Sequence, residues 1–272
     1  MNFPITPTTT FALALTFALP TFALSTPAQA APSAQEIIGK ANIAAYYQGN
    51  DGRAKVRMKI VDAQGRKRLR QFTILRRDIK DGGDQSFLVL FSRPADVKRT
   101  VFLVQKKVRG DDDRWMYLPA LDLVKRIASS DKRTSFVGSH FFYEDISGRS
   151  VHEDNHQLQK TTDTHYVIRS TPKKAGSVEF KYSTAWVDKK NYLPTKIEYV
   201  DKSGKLYRRI EALRVKTVQG HATVTKMKAS DLKNGGHTIT MMKGVKYDLS
   251  VPSTVFAERS LRNPPRQWFK KL

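Results

Sequence analysis

The segment His152-Glu-Asp-Asn-His156 has the H-E-x-x-H spacing of zinc proteases. In that chemistry both histidines bind zinc from one face of a helix, and the glutamate, here Glu153, is the general base. The surrounding sequence disfavours such a helix, because Gly148 lies just before it and only Val151 and Leu158 are apolar. We expect a polar surface turn or a short helix here, and a zinc hydrolase stays a remote alternative.

Other patterns that carry catalytic chemistry are missing from the sequence. The chain has no cysteine, which excludes disulfides, cysteine nucleophiles and cysteine-ligated metals. It also has no G-x-S-x-G motif, no phosphate-binding loop and no dinucleotide fingerprint. The three adjacent carboxylates at 111–113 lack the glycine and glutamate of a calcium loop, so a hairpin turn is expected there. The sequence predicts a protein that is not an enzyme and that uses no cofactor and no metal.

Residues 1–30 have the pattern of a signal peptide. They contain no charged side chain, and the apolar run at 11–19 is followed by Pro20 and by the small-x-small pattern Ala28-Gln-Ala30. The run is shorter than the roughly 20 residues that a membrane-spanning helix needs. We expect cleavage after Ala30 and export of residues 31–272 to the periplasm. Because no cysteine follows the cleavage site, we expect a soluble protein without a lipid anchor.

The formal net charge of the chain is +23. A field of this sign attracts anionic partners, and an exported protein meets anionic lipid head groups far more often than nucleic acids. We therefore expect an anionic membrane surface as a partner and no nucleic acid. A solvated basic surface without any partner is the alternative.

Sequence periodicity predicts a mainly β protein with a few helices. Ser33 and Glu36 have capping-box spacing, and apolar residues then recur at helical intervals, so residues 34–48 are expected to form a helix. Residues 54–60 alternate between apolar and basic side chains, which is typical of a strand with one buried face. Similar patterns predict strands at 67–77, 87–91, 101–104, 114–117, 164–170, 177–187, 195–201, 205–215, 221–229 and 237–243. A sheet of about ten strands tends to curl or split, and its concave side then needs a helix, a second sheet or a ligand.

The segment 108–160 has a different character. It is rich in aromatic and aliphatic residues but has irregular spacing, and we expect loops and short helices around one short strand at 114–117. Two blocks, 113–127 and 136–146, carry most of these large side chains. They could form ordinary core, or a lid over an apolar cavity.

These blocks resemble the outer-membrane lipoprotein-sorting protein family, which is LolA-like. The resemblance depends on Arg-Pro-Ala-Asp-Val-Lys at 93–98, Asp-Arg-Trp-Met-Tyr-Leu-Pro-Ala-Leu at 113–121, and Phe-Val-Gly-Ser at 136–139 followed by Tyr143-Glu-Asp145. Later segments such as Tyr-Leu-Pro-Thr-Lys-Ile-Glu-Tyr at 192–199 fit the closing strands. The combined pattern covers nearly the whole of 31–272 as a single LolA-like lipid-binding domain. The segment His140-Phe-Phe142 departs from it, since more polar residues are expected there.

The resemblance implies an unclosed antiparallel β-barrel with a helical lid over a hydrophobic cavity. It also implies a periplasmic carrier that shuttles the acyl chains of a lipid or an acylated protein between envelope membranes, with an inner-membrane hydrophobe exporter as a further candidate partner. The candidate lid and cavity residues are Trp115, Tyr117, Leu118, Phe136, Phe141 and Tyr143, and the candidate wall residues are Val56, Met58, Ile60, Phe180 and Trp186. A sensor or scaffold that uses the same cavity is the non-enzymatic alternative.

Overall fold

The computed structural model describes residues 1–4 and 31–269. The remainder of the predicted signal peptide, residues 5–30 with the expected cleavage site, lies outside the described residues. No helix in the described part of the chain is both long enough and apolar enough to cross a membrane.

The first helix, α1, spans Ala34–Tyr46 and begins at the predicted capping box. The Glu36 backbone N–H donates to Ser33 Oγ at 3.2 Å, and Glu36 Oε2 accepts from the Ser33 backbone N–H at 2.7 Å. These two bonds satisfy donors that the first helical turn leaves free. Two shorter helices follow later in the chain, α2 (Tyr143–Ser147) and α3 (Arg259–Arg262).

Most other residues of the described chain form β-strands. The strands are β1 (Asp51–Val61), β2 (Lys67–Asp78), β3 (Gln85–Arg93), β4 (Val101–Lys106), β5 (Asp113–Leu118), β6 (Leu123–Ile127), β7 (Asp154–Thr161), β8 (His165–Pro172), β9 (Phe180–Asp188), β10 (Pro194–Asp201), β11 (Leu206–Val218), β12 (His221–Asp231) and β13 (His237–Tyr247). All of them belong to one 13-stranded antiparallel sheet in the order β6-β5-β4-β3-β2-β1-β13-β12-β11-β10-β9-β8-β7. The sheet does not close, because β6 and β7 lie at its two edges. The prediction of a mainly β, unclosed antiparallel sheet is confirmed.

The prediction that 108–160 holds only one strand is wrong, since β6 and β7 also lie there. Both are edge strands, and in β7 only Asp154 is buried. An edge strand with a solvated surface carries no apolar stripe, so the alternation that identified the other strands is absent from its sequence.

The two faces of the sheet bury different clusters. The concave face carries residues such as Met58, Phe87 and Phe102, which pack against α1, α2 and the segment 128–153 that joins β6 to β7. The convex face of β2–β5 is covered by residues 249–269, with Val255, Phe256 and Leu261 against Leu88 and Leu103. The terminal segment therefore supplies the cover that an otherwise exposed apolar face requires.

Candidate functional site

A cavity of about 390 Å³ lies inside the curl of the sheet. Strands β1–β3 and β7–β13 contribute to its wall, and α1 and α2 lie over it. Its volume falls in the lower part of the range that small-molecule sites usually have, about 300–1,000 Å³. The structure thus provides one sheltered space into which ten strands direct side chains.

The walls are apolar because of strand alternation. In β1, Val56 and Met58 are buried and line the cavity. Arg57, which lies between them, and Lys59, which follows Met58, are exposed on the convex face. Helix α1 presents small side chains to the same space, including Ala41 and Ala44. Small residues on the helix leave room between it and the sheet that larger ones would fill.

One end of the cavity is polar. Asp154, His156 and Ser170 line it, together with Arg149. Arg149 forms a bidentate pair with Asp154, with Nε and Nη2 each 2.9 Å from a carboxylate oxygen. His156 donates from Nε2 to the Val151 carbonyl at 2.9 Å, and its Nδ1 lies 2.8 Å from Ser170 Oγ. These groups satisfy one another, so the polar end is rigid.

The carboxylate of Glu144 on α2 holds this end of the cavity together. It is 2% exposed and contacts three cations: Arg133 Nη1 at 3.1 Å, Arg149 Nη1 at 3.1 Å and Lys132 Nζ at 3.3 Å. Burial alone would raise the pKa of Glu144, but the three cations outweigh it and hold the pKa below its usual value. Arg133 in turn reaches Glu179 before β9 at 2.7 Å, so the network ties α2 to the sheet.

Two further contacts fix α2. Asp145 pairs with Arg208 of β11, whose guanidinium also lies over the Phe142 ring at 4.1 Å. Lys106 of β4 donates from Nζ to the Ser147 and Gly148 carbonyls at the end of the helix, at 2.5 and 3.0 Å. Burial of the ammonium lowers the pKa of Lys106 to about 8. Any movement of α2 must therefore break several charged contacts at once.

Phe136 fills the concave face beside the cavity. It is fully buried, with Phe72, Phe91, Phe102 and Tyr143 at ring-centroid distances of 5.3 to 6.2 Å. Edge-to-face and tilted ring pairs of this kind add to the energy of burial. The segment 128–153 thereby fills the concave side next to Phe91 and Phe102, and the cavity lies beside it.

The predicted site residues divide into three groups in the structure. Val56, Met58 and Phe141 line the cavity. Ile60, Leu118, Phe136, Tyr143 and Phe180 belong to the adjoining concave cluster.

The third group lies on the convex face. Trp115 and Tyr117 pack against the terminal segment, and Trp186 lies under the Lys196 ammonium at 3.5 Å. Alternate residues of a strand point to opposite faces, so Trp115 and Tyr117 cannot share the concave side with Met116 and Leu118. Whether any of these residues binds a ligand stays a prediction, as does the role of α2 as a lid.

Several lining residues were missed at the sequence level. They are small or flexible side chains of α1 and of the later strands: Ala44, Ala185, Ala212, Ala222, Met227 and Met242. The alternation in 221–229 and 237–243 was a usable signal for the strand residues. These small side chains were missed because large aromatic side chains are the more obvious site candidates.

The H-E-x-x-H segment does not form the zinc-protease arrangement. Residues 151–153 form a turn and β7 begins at Asp154, so His152 and His156 do not share a helix face. Both ring nitrogens of His156 have partners, and Glu153 pairs with Lys132 at 2.7 Å and with Arg149 at 2.8 Å. Among the described residues, no cluster of three or more histidine, aspartate or glutamate side chains could hold a metal.

Comparisons with known proteins agree with this architecture. A family model described as "Uncharacterized protein" matches residues 83–263. A DUF1329 family protein from Desulfovibrio piger is 32% identical over 79% of this chain and 92% of its own, with a TM-score of 0.73. An outer membrane lipoprotein-sorting protein domain from Vibrio parahaemolyticus is 26% identical over 84% and 98%, with a TM-score of 0.77.

A third structure extends the fold comparison. A LolA superfamily protein from Nitrosomonas europaea is 20% identical over 84% of this chain and 99% of its own, with a TM-score of 0.65. No curated protein matches the sequence.

Proposed function

We propose that the chain, which belongs to the DUF1329 family and shares its fold with an outer membrane lipoprotein-sorting protein domain, is a non-enzymatic carrier of acyl chains. The cargo is a lipid or the lipid moiety of an acylated protein. Residues 1–30 act as a signal peptide, and residues 31–272 work in the periplasm, where the carrier shuttles its cargo between the envelope membranes. A transporter of hydrophobic compounds is the donor or acceptor on the inner membrane.

The cavity of about 390 Å³ is the observation that carries this proposal. Its walls are apolar side chains of the concave face and small side chains of α1, such as Met58, Ala41 and Ala185. Moving a methylene from water into such a space is worth about 0.8 kcal/mol, so a hydrocarbon chain binds there without any catalytic group. The fixed polar end supplies hydrogen-bonding atoms that orient the ligand.

The basic convex face supports docking to anionic membranes. Lys55, Arg57 and Lys59 of β1 lie beside Lys226, Lys228 and Lys243 of β12 and β13 on this face. Each lysine or arginine near an anionic bilayer surface contributes about 1 kcal/mol of attraction. The carrier thus approaches a donor or acceptor leaflet with this face.

We expect delipidated protein to bind a fluorescent fatty acid saturably with one ligand per chain. The affinity should rise about fourfold for each added methylene, the equivalent of about 0.8 kcal/mol, until the chain fills the cavity. Fluorescence titration over a series of chain lengths checks both the stoichiometry and the slope. Uptake that grows linearly with ligand, without saturation, would count against the proposal.

We also expect the double variant Arg57→Ala/Lys59→Ala to bind vesicles of anionic phospholipid about 30-fold more weakly, because two cations of about 1 kcal/mol each are removed. Vesicle sedimentation at low ionic strength measures this. The matched control is Lys173→Ala/Lys174→Ala, which removes two exposed lysines from the β8–β9 turn. Equal binding by the two double variants would show that the convex face has no special part in docking.

A further inference from the structure

The ladder between β12 and β13 covers only part of the two strands. Backbone pairing runs from Ser230↔His237 to Lys226↔Met241 and stops there. Beyond that point, residues 221–224 pair only with β11, while Lys243, Lys246 and Tyr247 pair with β1. The two strands therefore diverge, and a slit separates residues 224–225 from 242–245 within the sheet.

The divergence has a cause in the sequence. Gly244 has a φ of +57°, a left-handed conformation that glycine adopts without steric cost. The register between β1 and β13 shifts at the same place, between the pairs Arg53↔Lys246 and Lys55↔Lys243. A bulge bends its strand and increases the local twist, which here moves β13 away from β12.

A set of side-chain hydrogen bonds ties the far end of the slit. At the β11–β12 turn, Gln219 Oε1 accepts from the Tyr247 backbone N–H at 2.8 Å, and Gln219 Nε2 donates to the Tyr247 carbonyl at 3.2 Å. Thr223 Oγ1 and the Tyr247 hydroxyl lie 2.8 Å apart, and the His221 ring packs edge-on against Tyr247 at 5.1 Å. We call these contacts of Gln219, His221 and Thr223 with Tyr247 the latch.

Both edges of the slit are walls of the cavity. Val224 on one side and Met242 and Val245 on the other line the cavity and are half-buried.

The convex surface around the slit is basic. Lys226 and Lys243 each lie next to a cavity-lining methionine, Met227 and Met242, and so point to the convex side, where Lys226 pairs with Arg214. Residues 212–226 contain no aspartate or glutamate. The slit thus joins an apolar interior to a cationic exterior.

We propose that the slit between β12 and β13 is the entrance through which an acyl chain passes sideways into the cavity, and that the latch controls its opening. The proposal rests on the proposed carrier function. The tail of an anionic amphiphile slides between Val224 and Met242, while its head group stays outside against Lys226, Lys243 and Arg214. Release is the reverse movement through the same slit.

The double variant Gln219→Asn/Tyr247→Phe tests the latch. Asparagine tolerates the left-handed conformation that Gln219 adopts, with a φ of +49°, but its side chain is shorter. Loss of these three hydrogen bonds, each worth about 0.5 kcal/mol or more, should speed both uptake and release of a fluorescent fatty acid at least about tenfold, with the equilibrium Kd unchanged within about twofold. Stopped-flow fluorescence measures the rates. Gln157→Asn/Tyr182→Phe, on an exposed site of β7 and the convex side of β9, is the matched control.

A covalent latch provides the opposite test at the same site. The chain has no cysteine of its own, so a Gln219→Cys/Tyr247→Cys pair forms the only possible disulfide. Oxidation should slow uptake at least about tenfold, the reverse of losing the three hydrogen bonds, and reduction should restore it. The proposed entrance is overturned if the Gln219→Asn/Tyr247→Phe variant takes up and releases fatty acid at the control's rates and the cysteine pair does so in both redox states. This conclusion holds even if fatty-acid binding saturates. A wild-type protein that binds no fatty acid at all would overturn the carrier function as well.

Discussion

Replacement of Ala44 by phenylalanine is expected to weaken fatty-acid binding about 60-fold while the protein stays folded. Ala44 lies on the face of α1 toward the sheet and lines the cavity. A phenyl ring there takes the place of several methylenes of the ligand. At about 0.8 kcal/mol per methylene, displacement of three costs about 2.4 kcal/mol. Equilibrium titration with a fatty acid that fills the wild-type cavity measures the loss.

A matched substitution separates cavity filling from general damage. Ala120 is exposed at the turn between β5 and β6, far along the sheet from the cavity, so Ala120→Phe should leave the affinity unchanged. Circular dichroism and thermal unfolding report whether Ala44→Phe remains folded. If a folded Ala44→Phe binds as tightly as Ala120→Phe, the ligand does not occupy this cavity.

The substitution Glu144→Gln is expected to destabilise the protein by about 3 kcal/mol, the lower end of the cost of removing one partner from a buried ion pair. Arg133, Arg149 and Lys132 keep their other carboxylate partners, so the cost should not reach the upper end of that range. For a domain of this size the midpoint of thermal unfolding should fall by about 6–12 °C. Differential scanning calorimetry measures the shift, and Glu211→Gln on the convex side of β11 is the control. A shift no larger than the control's would mean that the network does not hold α2 in place.

The pH dependence of this effect follows from the lowered pKa of Glu144. A carboxyl with a lowered pKa in the folded state contributes stability that is fully present above its unfolded value, near 4.5. That stability is lost as the pH falls through the lower folded pKa. The difference in midpoint between wild type and Glu144→Gln should therefore be constant from pH 7 down to about 5 and shrink only below the unfolded value.

The fold was largely accessible from the sequence. Alternation at 54–60 and in the later strands marked the sheet, and the Ser33–Glu36 capping box marked the start of α1. The edge strands β6 and β7 could not be predicted from the sequence, because an edge strand with little buried surface has no periodic apolar pattern. The order in which distant strands join, such as β1 with β13, depends on long-range pairing that single-strand patterns do not encode.

The site was less accessible than the fold. Val56 and Met58 were found because their alternation with basic residues fixes which face is buried. Trp115, a candidate lid or cavity residue, and Trp186, a candidate wall residue, lie on the other face because of their strand positions. Ala44 and Ala222 were missed because a cavity is bounded by residues that are too small to fill it, and a small residue has no signature of its own.

Native mass spectrometry of protein purified without detergent tests most directly whether this cavity is a binding site for acyl chains. We predict a bound fatty acid or lipid at one molecule per chain in the wild type, retained through dilution, and its loss from Ala44→Phe but not from Ala120→Phe. A wild-type spectrum with the polypeptide mass alone, unchanged after incubation with excess fatty acid, would contradict the account.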